Sequence, residues 1–207
     1  MVSGAEEAKE TGRVEAFSDG VFAIAITLLV LELKVPHLPD GGRGRLAAAL
    51  LEEWPSYLGF VTSFATILIM WVSHHRMFSY IRRADPPFLF ANGLLLFVVT
   101  LVPFPTAVLA EYFERPGATT AGAFYAGTFV LGAIAYNVLW RVAIGRGGRL
   151  LRPGVSQEHI DELTASYRWG IPVYVLATVA AFWSVHATIA ICLGLWAFWV
   201  VVAARNA

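Results

Sequence analysis

The chain is 207 residues long, 57% hydrophobic, 14% charged and formally neutral at pH 7, with 15 Lys and Arg against 15 Asp and Glu. Soluble chains carry about 25% charged residues, so these charges are too few to coat a globular surface, and their balance leaves no basic footprint for nucleic acid. A single cysteine, Cys192, excludes an intrachain disulfide, and beside five scattered histidines it supplies no metal-ligand spacing. The composition is that of an all-α integral membrane protein.

A membrane-spanning helix needs about 20 mostly apolar residues, and six segments approach that length. The first covers residues 16–35 and stops at Pro36 and Pro39. Lys9 and Arg13 precede it as in a signal peptide, but Glu32-Leu33-Lys34-Val35-Pro36 offers no small-x-small cleavage pattern, so it is expected to remain. The second covers 54–80, with Pro55 tolerated in the first turn. The third covers 87–110, its end loosened by Pro103 and Pro105, and the fourth covers 118–144. The last two, 166–185 and 187–204, are parted by Trp183-Ser184-Val185-His186, since one unbroken helix would be too long for a bilayer. The whole chain, 1–207, is thus predicted to be a single six-helix transmembrane domain.

An even number of spans puts both termini on one side. With the termini inside, the inner segments hold Lys9, Arg13, Arg76, Arg82, Arg83, Arg141, Arg146, Arg149, Arg152, Arg168 and Arg205, while the outer ones hold Lys34, Arg43, Arg45 and Arg115. The positive-inside rule therefore predicts cytoplasmic termini in a multi-pass cell-membrane protein. Between Arg141 and Arg168, Gly145-Arg146-Gly147-Gly148-Arg149 lacks the strand-to-helix context and the lysine of a phosphate loop. It reads as a flexible basic linker lying against anionic lipid headgroups. Ser156 is placed to cap the helix that follows.

Ionisable groups at membrane depth are costly and face a bundle interior or water, which singles out Asp19, about a turn into the first span. At 100° per residue, Gly20, Thr27, Leu28 and Leu31 fall within about 60° of Ile24, with Phe17 and Arg13 near the same line. That stripe faces lipid, a partner helix or a pore. Asn92, Thr100 and Asn137 read as polar glue between helices. The glycines Gly122, Gly127 and Gly132 read as easing local packing.

Arg13-x-x-x-Phe17-Ser18-Asp19-Gly20, followed by Val21-Phe22-Ala23-Ile24-Ala25-Ile26-Thr27-Leu28-Leu29-Val30-Leu31, resembles the first-helix signature of the TMEM175 family of potassium channels. The resemblance implies a homotetramer of six-helix subunits whose first helices surround the ion path. It implies Ile24 as the narrowest hydrophobic ring, Leu28 and Leu31 as further apolar rings toward the outside, and Thr27 as the hydroxyl tied to ion coordination and selectivity. Arg13, Phe17, Ser18, Asp19 and Gly20 would form a structural network at the cytoplasmic end. Trp71 with His74 or His75 would support it, the alternative being an interfacial aromatic beside solvated histidines.

Such a constriction works through side chains, not the backbone carbonyls of TVGYG filters. An ion entering an isoleucine ring loses hydration without gaining a coordinating oxygen, which costs weakly hydrated potassium less than sodium, and the ring can gate by dewetting. The expected protein is a leak-like, potassium-permeable channel with no cofactor beyond the permeant ion. Its partners are its own copies and membrane lipids, and no voltage sensor is expected, for want of the periodic arginines. The runner-up is a proton- or cation-coupled transporter. No enzyme motif such as HExxH or a nucleophile elbow is present.

Overall fold

A computed structural model describes the backbone of residues 4–36, 38 and 45–205, with the side chains of 4–10, 146 and 201–205 excepted. Pro39 and Arg43 lie outside the described residues, as do the side chains of Lys9, Arg146 and Arg205.

Among the described residues the fold is helical throughout. Helix α1 (Gly4–Leu28) tightens into a 3₁₀ turn at Leu29–Glu32, and Leu33 is already extended. The helix therefore ends short of the predicted residue 35, where Pro36 restricts the residue before it. After a short α2 (Leu46–Glu52), α3 (Trp54–Ser79) opens with Pro55 in its first turn, where a missing N–H is harmless. Asp85 caps α4 (Pro86–Leu101), its Oδ1 accepting from Phe88 N at 3.0 Å, and two prolines occupy the first turn.

The predicted third span is two helices, because Pro103 cannot donate to the preceding turn and α5 (Pro103–Tyr112) starts there. Sixteen residues of α4 advance about 24 Å, so this break lies toward the far side of the bilayer and not at its midplane. Helix α6 (Ala118–Gly148) outruns the predicted residue 144 and ends where Gly147 and Gly148 take positive φ. Helix α7 (Gln157–Ala180) starts at Ser156, whose Oγ accepts from His159 N at 3.3 Å. A turn at 181–184 separates it from α8 (Val185–Arg205).

Among the described residues, four stretches are long and apolar enough to cross a membrane: Thr11–Glu32, Trp54–Ser79, Pro86–Tyr112 and Ala118–Gly145. α7 carries Glu158, Asp161, Glu162 and Arg168 in its first half, and the apolar part of α8 is shorter. Helix α1 packs on α3 and α4, and its 3₁₀ tail on α3 and α5, while α6 is sandwiched against α4, α5, α7 and α8. The core running through them includes Phe22, Ile67, Phe88, Leu95, Tyr125 and Trp140.

The segment expected to be a flexible basic linker is pinned. The connection left between α6 and α7 is short, and Ile81 and Leu151 form an antiparallel bridge. Arg82 N donates to Leu150 O and Arg152 N to Tyr80 O, each at 2.8 Å. Paired backbone groups and two buried apolar side chains hold it, so it is not free to flex.

Candidate functional site

Helix α1 has two unlike faces. Phe22, Ala25 and, in the 3₁₀ tail, Leu29 are 1%, 1% and 0% exposed, on the side packed against α3, α4 and α5, whereas Ile24, Leu28 and Leu31 are 59%, 42% and 73% exposed. Thr27 shares the exposed stripe, its hydroxyl donating to Ile24 O at 2.9 Å. That bond directs the proton at the backbone and leaves the oxygen lone pairs free to accept or coordinate. In the 3₁₀ turn, side chains three apart eclipse, which keeps Leu31 in line with Leu28. Arg13, Phe17 and Gly20 continue the exposed stripe toward the amino end, and a Cβ on Gly20 would meet nothing of this chain within 4 Å.

Behind that stripe, α1 is bolted to α3 and α4 by polar groups. Trp71 Nε1 donates to Asp19 Oδ1 at 2.8 Å. Buried His74 bonds through Nε2 to Asn92 Oδ1 at 2.9 Å, Asn92 Nδ2 donates to Ser18 Oγ at 3.0 Å, and Ser18 Oγ donates to Val14 O at 2.9 Å. Because Oδ1 only accepts, His74 carries its proton on Nε2, and the four groups form one directional relay across three helices. The Nδ1 atom of His74 is buried with no partner, and the ring stacks on Phe78 at 4.2 Å and packs against Phe22.

The two histidines diverge, as neighbours about 100° apart on a helix must. His75 turns outward, with Nδ1 3.0 Å from Glu15 Oε1 and its ring stacked over Trp71. Arg13, expected in the same network, instead lines an exposed groove between α1 and α4 with Val14, Phe17, Leu89 and Asn92. Asn92 is the member that sequence reasoning did not assign. It looked like any lone amide in an apolar helix, and only its depth against Ser18 and His74 distinguishes it. Asn137 does join helices, donating to Tyr167 O at 2.8 Å. Thr100 does not, because it is exposed and bonds Phe97 O within its own turn.

Farther along, Lys34 and Arg115 both pair with Glu111, tying the chain just after the 3₁₀ turn to α5. Nearby, Ser63, Thr106, Tyr125 and Thr62 form a buried hydroxyl cluster, with Ser63 Oγ 2.7 Å from Thr106 Oγ1.

Long apolar helices, a buried polar relay between three of them and an apolar stripe left uncovered on the first define a multi-pass helical membrane protein. Residues 13–103, the segment from α1 to the start of α5, match the model of the family described as endosomal/lysosomal potassium channel TMEM175. A potassium channel of Chamaesiphon minutus is 52% identical over 91% of this chain and 92% of its own length. A potassium channel of Streptomyces collinus is 46% identical over 87% of each chain. The crystal structure of a lysosomal potassium-selective channel TMEM175 homolog from Chamaesiphon minutus superposes with a TM-score of 0.85 at 48% identity, covering 94% of this chain and 98% of that one. This chain belongs to the TMEM175 family, a family of ion channels and not of enzymes.

Proposed function

We propose that the chain is one subunit of a homotetrameric, leak-like potassium channel of the cell membrane, with six spanning segments and cytoplasmic termini. The exposed stripe Ile24, Thr27, Leu28 and Leu31 lines its path. The observation that carries this reading is the split of α1 into a fully buried face and an exposed apolar one. One helix cannot enclose a path, so the uncovered face calls for copies of itself around an axis. The family and its relatives named as potassium channels support the permeant ion.

In this arrangement Ile24 forms the driest ring, where no side-chain oxygen replaces lost hydration and wetting controls passage. Thr27 lies a turn beyond, its lone pairs directed away from its own backbone bond and available to a partly dehydrated cation. Ser18 and Asp19, with Trp71, His74 and Asn92, act behind the path as an anchor fixing the rotation of α1. They do not touch the ion.

Potassium flux into proteoliposomes, measured for wild type, Ile24→Asn and Thr27→Ala, tests the assignment. Ile24→Asn is expected to raise flux and narrow the preference for potassium over sodium, because amides hydrate the ring. Thr27→Ala is expected to weaken the preference without the gain in flux. Unchanged conductance and selectivity in both variants would remove the stripe from the path.

A further inference from the structure

The α3–α4 and α6–α7 connections bring four arginines together: Arg82, Arg83, Arg149 and Arg152. Ile81 and Leu151, the bridged pair, are both buried, so backbone alternation turns Arg82 and Arg152 to the opposite face of the bridge. Their guanidiniums are held there by main chain. Arg152 Nε donates to Ile81 O at 3.3 Å, and Arg82 Nη2 lies 3.5 Å from Arg149 O. A guanidinium has five N–H donors in a planar fork, so each keeps donors for an anion. Arg82 Nε is buried without an acceptor. Among the described residues, Asp85 is a carboxylate interleaved among them, 3.5 Å from Arg149 Nη2 through Oδ2, with Oδ1 engaged as the α4 cap.

The bridge caps the ends of α3, α4 and α6, three of the membrane-length stretches. Immediately along α4 from it, Leu89 and Phe90 are exposed apolar side chains. A phosphate held by the arginines would therefore have apolar helix surface beneath it for acyl chains, which a free phosphate ion does not need. We propose that this bridge binds the phosphate headgroup of an anionic membrane phospholipid. Bidentate donors fixed by backbone suit a phosphate, with its charge and planar pairs of oxygens. This goes beyond the ion path and rests only on the membrane-spanning fold.

Native mass spectrometry of the purified, delipidated full-length protein, titrated with phosphatidylglycerol or phosphatidylcholine, tests it directly. Phosphatidylglycerol is expected to bind more tightly, and each arginine replaced, as Arg82→Gln or Arg152→Gln, is expected to weaken it about fivefold. Phosphatidylcholine binding should not change. Arg152→Lys, which keeps the charge and loses the fork, should fall between wild type and Arg152→Gln. Arg149→Gln, whose side chain is largely exposed, removes a charge without disturbing the bridge backbone and must also weaken phosphatidylglycerol if the proposal holds. Equal affinity for the two lipids, or undiminished affinity in Arg149→Gln, overturns it. Displacement of phosphatidylglycerol by millimolar inorganic phosphate overturns the lipid assignment in favour of a soluble anion. No ion flux enters the measurement, so failure here leaves the pore reading standing.

Discussion

Asn92 satisfies two partners at once, and at membrane depth neither has water to fall back on. Its carbonyl receives His74 and its amide reaches Ser18. Replacing it by leucine fills similar space but strips His74 of the relay acceptor, with Nδ1 already unpartnered. Asn92→Leu is expected to cost about 1–3 kcal/mol, read as a lower thermal midpoint of the purified protein in detergent. A midpoint equal to wild type would show that the relay does not anchor α1. Trp71→Phe leaves a smaller aromatic ring beside His75 and removes the indole N–H that donates to Asp19. The lost hydrogen bond is expected to cost less, about 0.6 kcal/mol and at most about 1.7, as interhelical bonds in bilayers do, and the same melting experiment ranks the two variants.

At the scale of elements, close approach of helices decides which small residues matter. A Cβ on Gly122 would lie 3.1 Å from Val185 Cγ2 and 3.4 Å from Ala181 Cβ, where α6 meets the α7–α8 turn. On Gly127 the nearest atom is Thr178 Cγ2 at 4.0 Å. Gly122→Leu is therefore expected to be destabilising by about 1–3 kcal/mol through overpacking. Gly127→Ala is expected to be neutral, or stabilising by up to about 1 kcal/mol through helix propensity. Parallel melting curves that fail to separate the two would show that the α6 contacts yield easily. The same logic explains α1. Its buried face is fixed by Phe22, Ala25 and Leu29 in the core, and its polar bolts sit on that side, so the opposite stripe is left uncovered.

At the scale of the molecule, that uncovered stripe needs other copies. Detergent-solubilised protein is expected to show four times the 22.6 kDa chain mass in native mass spectrometry, and cross-linking in membranes should stop at the tetramer. A monomer under both conditions would remove the ion path, since one first helix encloses nothing. The membrane character of the chain follows from composition alone: apolar runs of bilayer length with few charges have no stable soluble arrangement. Helix starts were legible where local chemistry sets them, as at Pro55 and the Ser156 cap, because prolines and capping side chains act within a turn of themselves.

What the sequence could not specify was pairing across distance. The α6–α7 connection looked like a loose basic linker because its arginines and glycines are adjacent in sequence, whereas the partners that pin it, Tyr80 and Arg82, are about 70 positions earlier. Asn92 could not be told from Thr100 by composition or periodicity. The first is buried against Ser18 and His74, and the second bonds its own helix. The alignment of Arg13, Phe17, Gly20, Ile24, Thr27, Leu28 and Leu31 along one stripe was thus determined by sequence alone, since helical periodicity is local. Which side of that stripe is buried was decided only by tertiary structure, because burial depends on how α3 and α4 pack against α1.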